Sequence, residues 1–207
     1  MSYFNPGRIW EGKTVALLAS GESMNQAVAD SVRHLPRIAI NSTYKLAKDA
    51  DIVYSGDAPW WYEQKEDLSQ LPGLKLTIEY HTGVYPNCPD FVQVLRWGGS
   101  HGFDDRPGYI RWGGHSGYQA LHLAASLGAK RILLFGYDCH GGHWHGKHAQ
   151  PLGNPTDKTF RKWVQHFGYI APELALRGIE VINCTAGSRI VCFPFTITPF
   201  RTLKLAA

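Results

Sequence analysis

The sequence predicts a single α/β domain of Rossmann-like type, with a mainly parallel central sheet flanked by helices. Two observations carry that expectation. Short apolar runs of strand length alternate with stretches of helical period, and each run is followed by small or polar residues. The chain also has 207 residues, 44% of them hydrophobic and 18% charged, which is enough for one well-buried core and too little for two ordinary domains without a visible linker. Residues 1–207 therefore read as one domain, with a loop-rich excursion at about 81–114.

The first cycle is TVALLAS (14–20), an apolar run that stops at Gly21 and leads into a mixed polar and apolar stretch through Val32. It predicts a buried strand, a tight turn and a helix, with Ser23 as a candidate cap. RIAIN (37–41) and DIVYSGD (51–57) predict two more strands, with a short helix in TYKLAKDA between them. LKLTIEY (74–80) alternates as a strand does.

The excursion is rich in Gly, Pro, Trp and Asp. FVQVLRW is its one strand candidate; the rest reads as loops, with a hairpin as a further option. The clearest cycle follows in SGYQALHLAASLGAKRILLFGYD (116–138). Ser116 is placed to cap a helix, Gly128 to end it, and RILLFG to form the next buried strand. The last cycle runs from TFRKWVQHFGYIAPELALRG to the strand EVINC, with Pro172 expected to start or break a turn inside the helical stretch. There is no internal repeat and no low-complexity tract.

The formal charge of +4 is compatible with a weakly anionic partner such as a nucleotide. It does not require nucleic acid, and no basic, aromatic-interleaved stretch of the kind single strands need is present. Cys88, Cys139, Cys184 and Cys192 form no CxxC pair, which argues against a structural zinc site or a disulfide framework. The amino-terminal apolar run is too short for a secretory core, and no segment reaches membrane-spanning length. A cytoplasmic protein with free thiols is the expectation. The sequence does not specify an oligomeric state.

On open α/β sheets ligands bind beyond the carboxyl ends of the strands. Those ends here carry Ser20-Gly21-Glu22-Ser23, Asn41-Ser42, Gly56-Asp57, Asp138-Cys139-His140 and Asn183-Cys184-Thr185. All are polar, so they should converge on one cleft. ASGES reads either as a tight strand-to-helix turn or as an anion cradle of backbone N–H groups. Asn41 and Asn183 each read as a strand-end turn or a ligand contact. Trp60-Trp61-Tyr62 reads as core more readily than as a stacking wall, and His122, inside an apolar helix, as structural.

The stretch DCHGGHWHGKH (138–148) holds four of the ten histidines. Three readings stay open for it. His143 and His145, two apart, would share a face in an extended segment and could hold a metal with Asp138 or His148, although the spacing matches no established ligand pattern. It could be a polar turn. Or it could be a catalytic or anion-binding loop, because imidazole titrates near neutrality. On the last reading, Gly141, Gly142 and Gly146 favour a segment that settles around its ligand, Trp144 offers it an apolar face and Lys147 a phosphate partner.

ALLASGESMN, IAIN, HSGYQALHLAASLGAKRILLFGYD, a His-bearing loop and GIEVINCTAGSRIVCFP follow one another in an order that resembles the bacterial sialyltransferases of single-domain Rossmann-like type. The order is also similar to their relatives, the motility accessory factor glycosyltransferases and the archaeal 6-hydroxymethylpterin diphosphokinase-like proteins. The resemblance spans roughly residues 14–194.

It implies nucleotide contacts at Gly21, Ser23, Asn41, Ser116, Gly117 and Asp138 and a catalytic base at His145 or His148; the strand-end Asp57 is a further nucleotide-binding candidate. Three departures stand out: Ala19 replaces the family's first glycine, Glu22 its proline, and Cys139-His140 an aromatic pair. The resemblance implies a nucleotide-dependent transferase, with a nucleotide-sugar donor and a small-molecule or glycan hydroxyl acceptor and no metal required. The alternative it implies is an ATP-dependent diphosphokinase, in which Asp57 and Asp138 would hold Mg2+. A non-catalytic nucleotide-binding or assembly protein is the rival from another class.

Overall fold

In a computed structural model, residues 3–80, 86–147 and 152–197 are described. They form one sheet of eight parallel strands flanked by helices, the single-domain Rossmann-like α/β architecture predicted from the sequence. In chain order the strands are β1 (Thr14–Leu18), β2 (Arg37–Ile40), β3 (Ile52–Tyr54), β4 (Leu74–Ile78), β5 (Gln93–Trp97), β6 (Tyr109–Ile110), β7 (Arg131–Phe135) and β8 (Glu180–Asn183). The helices are α1 (Gln26–Ser31), α2 (Ala58–Glu63), α3 (Lys65–Ser69), α4 (Ser116–Ser126) and α5 (Asp157–Leu176).

Strand order across the sheet is β6-β5-β4-β3-β2-β1-β7-β8. The chain steps outward from β1 to β6 and then returns through α4 to lay β7 on the other side of β1, with Thr14 opposite Arg131 and Leu18 opposite Phe135. The reversal of direction at β1 and β7 is a topological switch point, where the loops leaving adjacent strands part and open a crevice.

Alternation along the strands divides the core in two. Val15 and Leu17 of β1 pack with Tyr118 and Leu121 of α4 and Phe167 and Ile170 of α5. Ala16 and Leu18 join Ala29 of α1, Trp60 and Trp61 of α2 and Leu68 of α3. Period-two side chains thus present β1 to a helical layer on each face, which is why these strands read as continuous apolar runs. Trp60 and Trp61 are core residues, while Tyr62 is exposed. His122 is buried in α4. Among the described residues, no helix is long and apolar enough to cross a membrane.

Several local expectations are corrected. TYKLAKDA contributes only to a 3-10 turn, Asn41–Lys45. β5 and β6 pair in parallel, so they are not a hairpin; the connection is a wide loop whose Asp104 backbone N–H donates to His122. Pro172 does not break α5. Its ring lies on the exposed face, and the residue four before it, whose carbonyl loses its helical donor, is the exposed Gly168. Asn25, rather than Ser23, caps α1, its side chain accepting from Val28 N–H at 3.1 Å.

Ser116 does not cap α4 either. The cap is His115, extended at φ −164°, whose imidazole Nδ1 accepts from the Tyr118 N–H at 3.4 Å. Nδ1 is as many bonds from Cα as the side-chain oxygen of asparagine, so the ring can serve where a smaller cap was expected.

Candidate functional site

The carboxyl ends of β1, β2 and β7, the start of α4 and the loop after β7 enclose a cavity of about 100 Å3 at the switch point. Gly21, Asn41, Ser116, Gly117 and Asp138 all line it, so five of the sequence-derived candidates converge. Asp57 is exposed and outside its lining. The volume is below the usual 300–1,000 Å3 of a small-molecule pocket and holds one group of a larger ligand. A larger cavity of about 500 Å3 lies at the other edge of the sheet, against Gly12, Leu127 and Lys130. The arginines around that cavity, Arg8, Arg106 and Arg177, are each paired with a carboxylate, so the smaller cavity is the better candidate.

The floor is built by close approach. A Cβ on Gly21 would come within 1.9 Å of Asp138 Oδ2 and 2.6 Å of the Gly136 carbonyl oxygen, so only glycine fits. The Gly21 N–H donates to that same carbonyl at 2.9 Å. Asp138, 3% exposed, accepts from Ser23 N–H at 3.1 Å and from Ser23 Oγ at 2.8 Å. Asp138 and Ser23 therefore brace the β1–α1 turn against β7. Each Asp138 oxygen accepts one hydrogen bond from Ser23, and Asp57 is outside the cavity lining, so this cavity does not bring together the two carboxylates expected to hold magnesium. Among the described residues, no group of three or more His, Cys, Asp and Glu is arranged to hold a metal.

Two non-glycine residues among those described have positive φ: Asn41 at 49° and Cys139 at 55°. Both line the cavity. Such backbone costs of order 1–3 kcal/mol per residue and collects at functional sites, although asparagine tolerates it best. The Asn41 side-chain oxygen is buried without a hydrogen-bond partner. Burial, then the adjacent Asp138 charge, pushes the Cys139 thiol up to about 12, which keeps it protonated and unsuited to nucleophilic duty.

Ser116 accepts from the Gly56 N–H at 3.0 Å, tying the start of α4 to the end of β3. Tyr137 donates through its hydroxyl to the Gly117 carbonyl at 3.0 Å, tying it to β7 as well. Asn183 is a strand-end turn: its side chain donates to the Ile190 carbonyl and accepts from Thr185 N–H.

The histidine loop is docked over the opening. Trp144 N–H donates to the Ser20 carbonyl at 3.1 Å, and Trp144 Nε1 to Thr43 Oγ1 at 3.1 Å. Thr43 Oγ1 in turn contacts Ser20 Oγ at 3.0 Å. Trp144 packs against the core on the α1 face, so it anchors the loop rather than offering a face to a ligand. Glu22 lies toward Gly141, where a Cβ would meet its Oε2 at 2.2 Å, and is not part of the cavity wall.

His140 and His143 line the cavity; His145 does not. His145 stacks on His143 with ring centroids 5.2 Å apart and planes 6° apart, as residues two apart on one face would. His148, the other candidate base, lies outside the described residues. The His143 Nδ1 is 3.3 Å from the Ser20 carbonyl oxygen, an acceptor, so Nδ1 carries the proton and the ring's lone pair is on Nε2.

Sequence reasoning placed His140 at a strand end expected in the cleft and His143 in the histidine loop, but missed His115, Phe160 and Trp163 as cavity residues. Of these three only His115 left a signal, immediately before the Ser-Gly that opens α4. The cavity's described lining contains no lysine or arginine. No protein-family model matches the chain, and no curated protein matches it.

Proposed function

We propose that the protein is a nucleotide-dependent transferase, moving a glycosyl group from a nucleotide donor to an acceptor hydroxyl. The observation that carries this reading is the cavity at the β1/β7 switch point, with Gly21, Asn41, Ser116 and Gly117 on its wall. The N-terminus of the eleven-residue α4 faces the site with its first amides and the positive end of its dipole. With no lysine or arginine in the described lining, those amides favour a donor of low phosphate charge. That supports a glycosyl transfer over the diphosphokinase alternative, since Asp57 is outside the cavity lining and Asp138 is bonded to Ser23.

Among the described histidines, His143 is the best-placed base. Its ring lines the cavity, and the Ser20 carbonyl holds it in the tautomer whose Nε2 can take a proton from an acceptor hydroxyl. Admission of a whole nucleotide requires the loop at 139–147 to lift from Ser20 and Thr43.

The test is a thermal-shift panel of CMP, UDP, GDP and ATP, each with and without magnesium. At a hundredfold excess over Kd, binding stabilises by about 2.7 kcal/mol, or roughly 5–10 °C for a chain of this size. One nucleotide should reach that shift without magnesium. Asn41→Gly, which keeps the positive φ and removes the amide, should reduce it. No shift with any nucleotide would overturn the reading, and a shift only with ATP and magnesium would favour the diphosphokinase.

A further inference from the structure

We infer that His115 presents its Nε2–H, as a neutral imidazole, to an oxygen acceptor of the ligand bound in the switch-point cavity. The inference rests on the reading of that cavity as the ligand site and adds to it a specificity-determining residue and the chemistry it selects.

The first step is the tautomer. His115 Nδ1 accepts the Tyr118 N–H, and a backbone amide can only donate. Nδ1 therefore bears the lone pair, and Nε2 bears the proton. That single bond removes His115 from the list of general bases, because its basic nitrogen is spent on the helix.

The second step concerns Nε2. The atom is buried and has no hydrogen-bond partner, and His115 is one of the residues that line the cavity. A buried N–H left without an acceptor costs about 1–3 kcal/mol, a cost that an acceptor oxygen of a ligand bound against this residue would offset. The ring is also held firmly: it lies 4.6 Å from Trp163 and 5.2 Å from Phe167, both on α5. A donor this constrained is set before the ligand arrives.

The third step is its charge. Burial, reinforced by His166 on α5, pushes the His115 pKa down to about 3. A proton on Nδ1 would also displace the Tyr118 amide and face the positive end of α4. The other titratable groups around the cavity are Tyr118 on α4 and Tyr137, Asp138, Cys139, His140 and His143 after β7. A neutral donor beside the first amides of α4 suits a phosphate, carbonyl or hydroxyl oxygen. It offers no charge with which to hold a counter-ion.

The experiment uses 15N-histidine NMR on the full chain, with CMP, UDP, GDP, ATP and inorganic phosphate as separate probes. In the free protein His115 should be in one tautomer, protonated at Nε2, and should not titrate between pH 5 and 8. A titrating ring, or a proton on Nδ1, overturns the inference. On addition of a binding probe the Nε2–H resonance should shift downfield. A nucleotide that binds and moves the Asn41 and Ser116 amides but not His115 leaves the transferase reading standing and overturns this one. Phosphate alone shifting His115 does the reverse. If no probe moves it, the inference falls.

His115→Asn supplies the second readout, since asparagine is a good helix cap but cannot reach the position of Nε2. It should keep the melting temperature within a few degrees and weaken the probe roughly three- to tenfold, the scale of one neutral hydrogen bond. Unchanged affinity in a folded His115→Asn protein overturns the assignment. If that variant does not fold, the wild-type NMR decides.

Discussion

Gly21→Ala tests the close packing on which the candidate site depends. The added methyl would stand 1.9 Å from Asp138 Oδ2 and 2.6 Å from the Gly136 carbonyl oxygen, so one or both must move. The side chain yields first. Asp138 then loses its bonds from Ser23 N–H and Ser23 Oγ, at 3.1 and 2.8 Å.

Hydrogen bonds to a charged group are worth about 1.5–3 kcal/mol each, and partial exposure of Ser23 argues for the lower end, giving about 3 kcal/mol for the two. For a domain of this size that is a fall of roughly 6–12 °C in melting temperature. The assay is thermal and urea denaturation of Gly21→Ala, Asp138→Ala and the double variant. Because both single changes break the same bonds, their costs should overlap, and the double variant should be more stable than additivity predicts by about 1–3 kcal/mol. The overlap stays incomplete, since the Gly136 carbonyl remains in the way. Additive losses, or a Gly21→Ala protein as stable as the parent, would refute the packing account.

The remaining predictions concern titration, catalysis and α5. Burial holds His115 and His122 down to about 3, against 6.5 for a free histidine, so the unfolded chain binds more protons than the folded one between those values. Stability present above pH 6.5 should therefore fall as pH drops toward 5, by up to about 1.4 kcal/mol per pH unit per histidine; a urea midpoint that is flat from pH 7 to 5 would contradict this. His143→Ala should lower turnover about a hundredfold or more with nucleotide affinity nearly unchanged, whereas His145→Ala should do less; equal losses in steady-state kinetics would return the base to His145. Pro172→Ala should restore a helical N–H opposite the Gly168 carbonyl and raise the melting temperature by several degrees, and a fall would mean that the proline packs in a way its exposure does not suggest.

What was legible in the sequence is what local pattern determines. TVALL, RIAI and RILLF read as buried strands because both faces of the sheet are covered, and that requirement is written residue by residue. The convergence of Gly21, Asn41 and Asp138 followed from one rule about strand ends, while Ser116 came from the start of α4. The parts that were not legible depend on partners far away in the chain. Nothing within reach of Asp138 in sequence shows that Ser23 will occupy both its oxygens. Likewise, His145 and His143 are equivalent by spacing, and only the folded chain separates them, by placing His143 on the cavity wall against the Ser20 carbonyl. The cap of α4 was misplaced by one residue because serine is the commoner cap, and a histidine one position earlier has the same reach.

The strained and unpartnered groups at the cavity belong together. Asn41 and Cys139 hold positive φ at the ends of β2 and β7, and the side chains that brace them are committed elsewhere: Asp138 to Ser23, Thr43 to Ser20 and Trp144, Tyr137 to Gly117. A backbone in such a conformation persists only where its surroundings over-determine it, and here the surrounding polar groups are fully used in doing so. Asn41 Oδ1 and His115 Nε2 are buried atoms without a hydrogen-bond partner, and both belong to residues that line the cavity. If the cavity were only a packing defect, apolar neighbours would be expected to close on it, since each buried unpaired atom is costly. A buried donor and a buried acceptor on two separate segments that line the cavity, with no charged side chain in its described lining except the engaged Asp138, are the features on which the proposed ligand site rests.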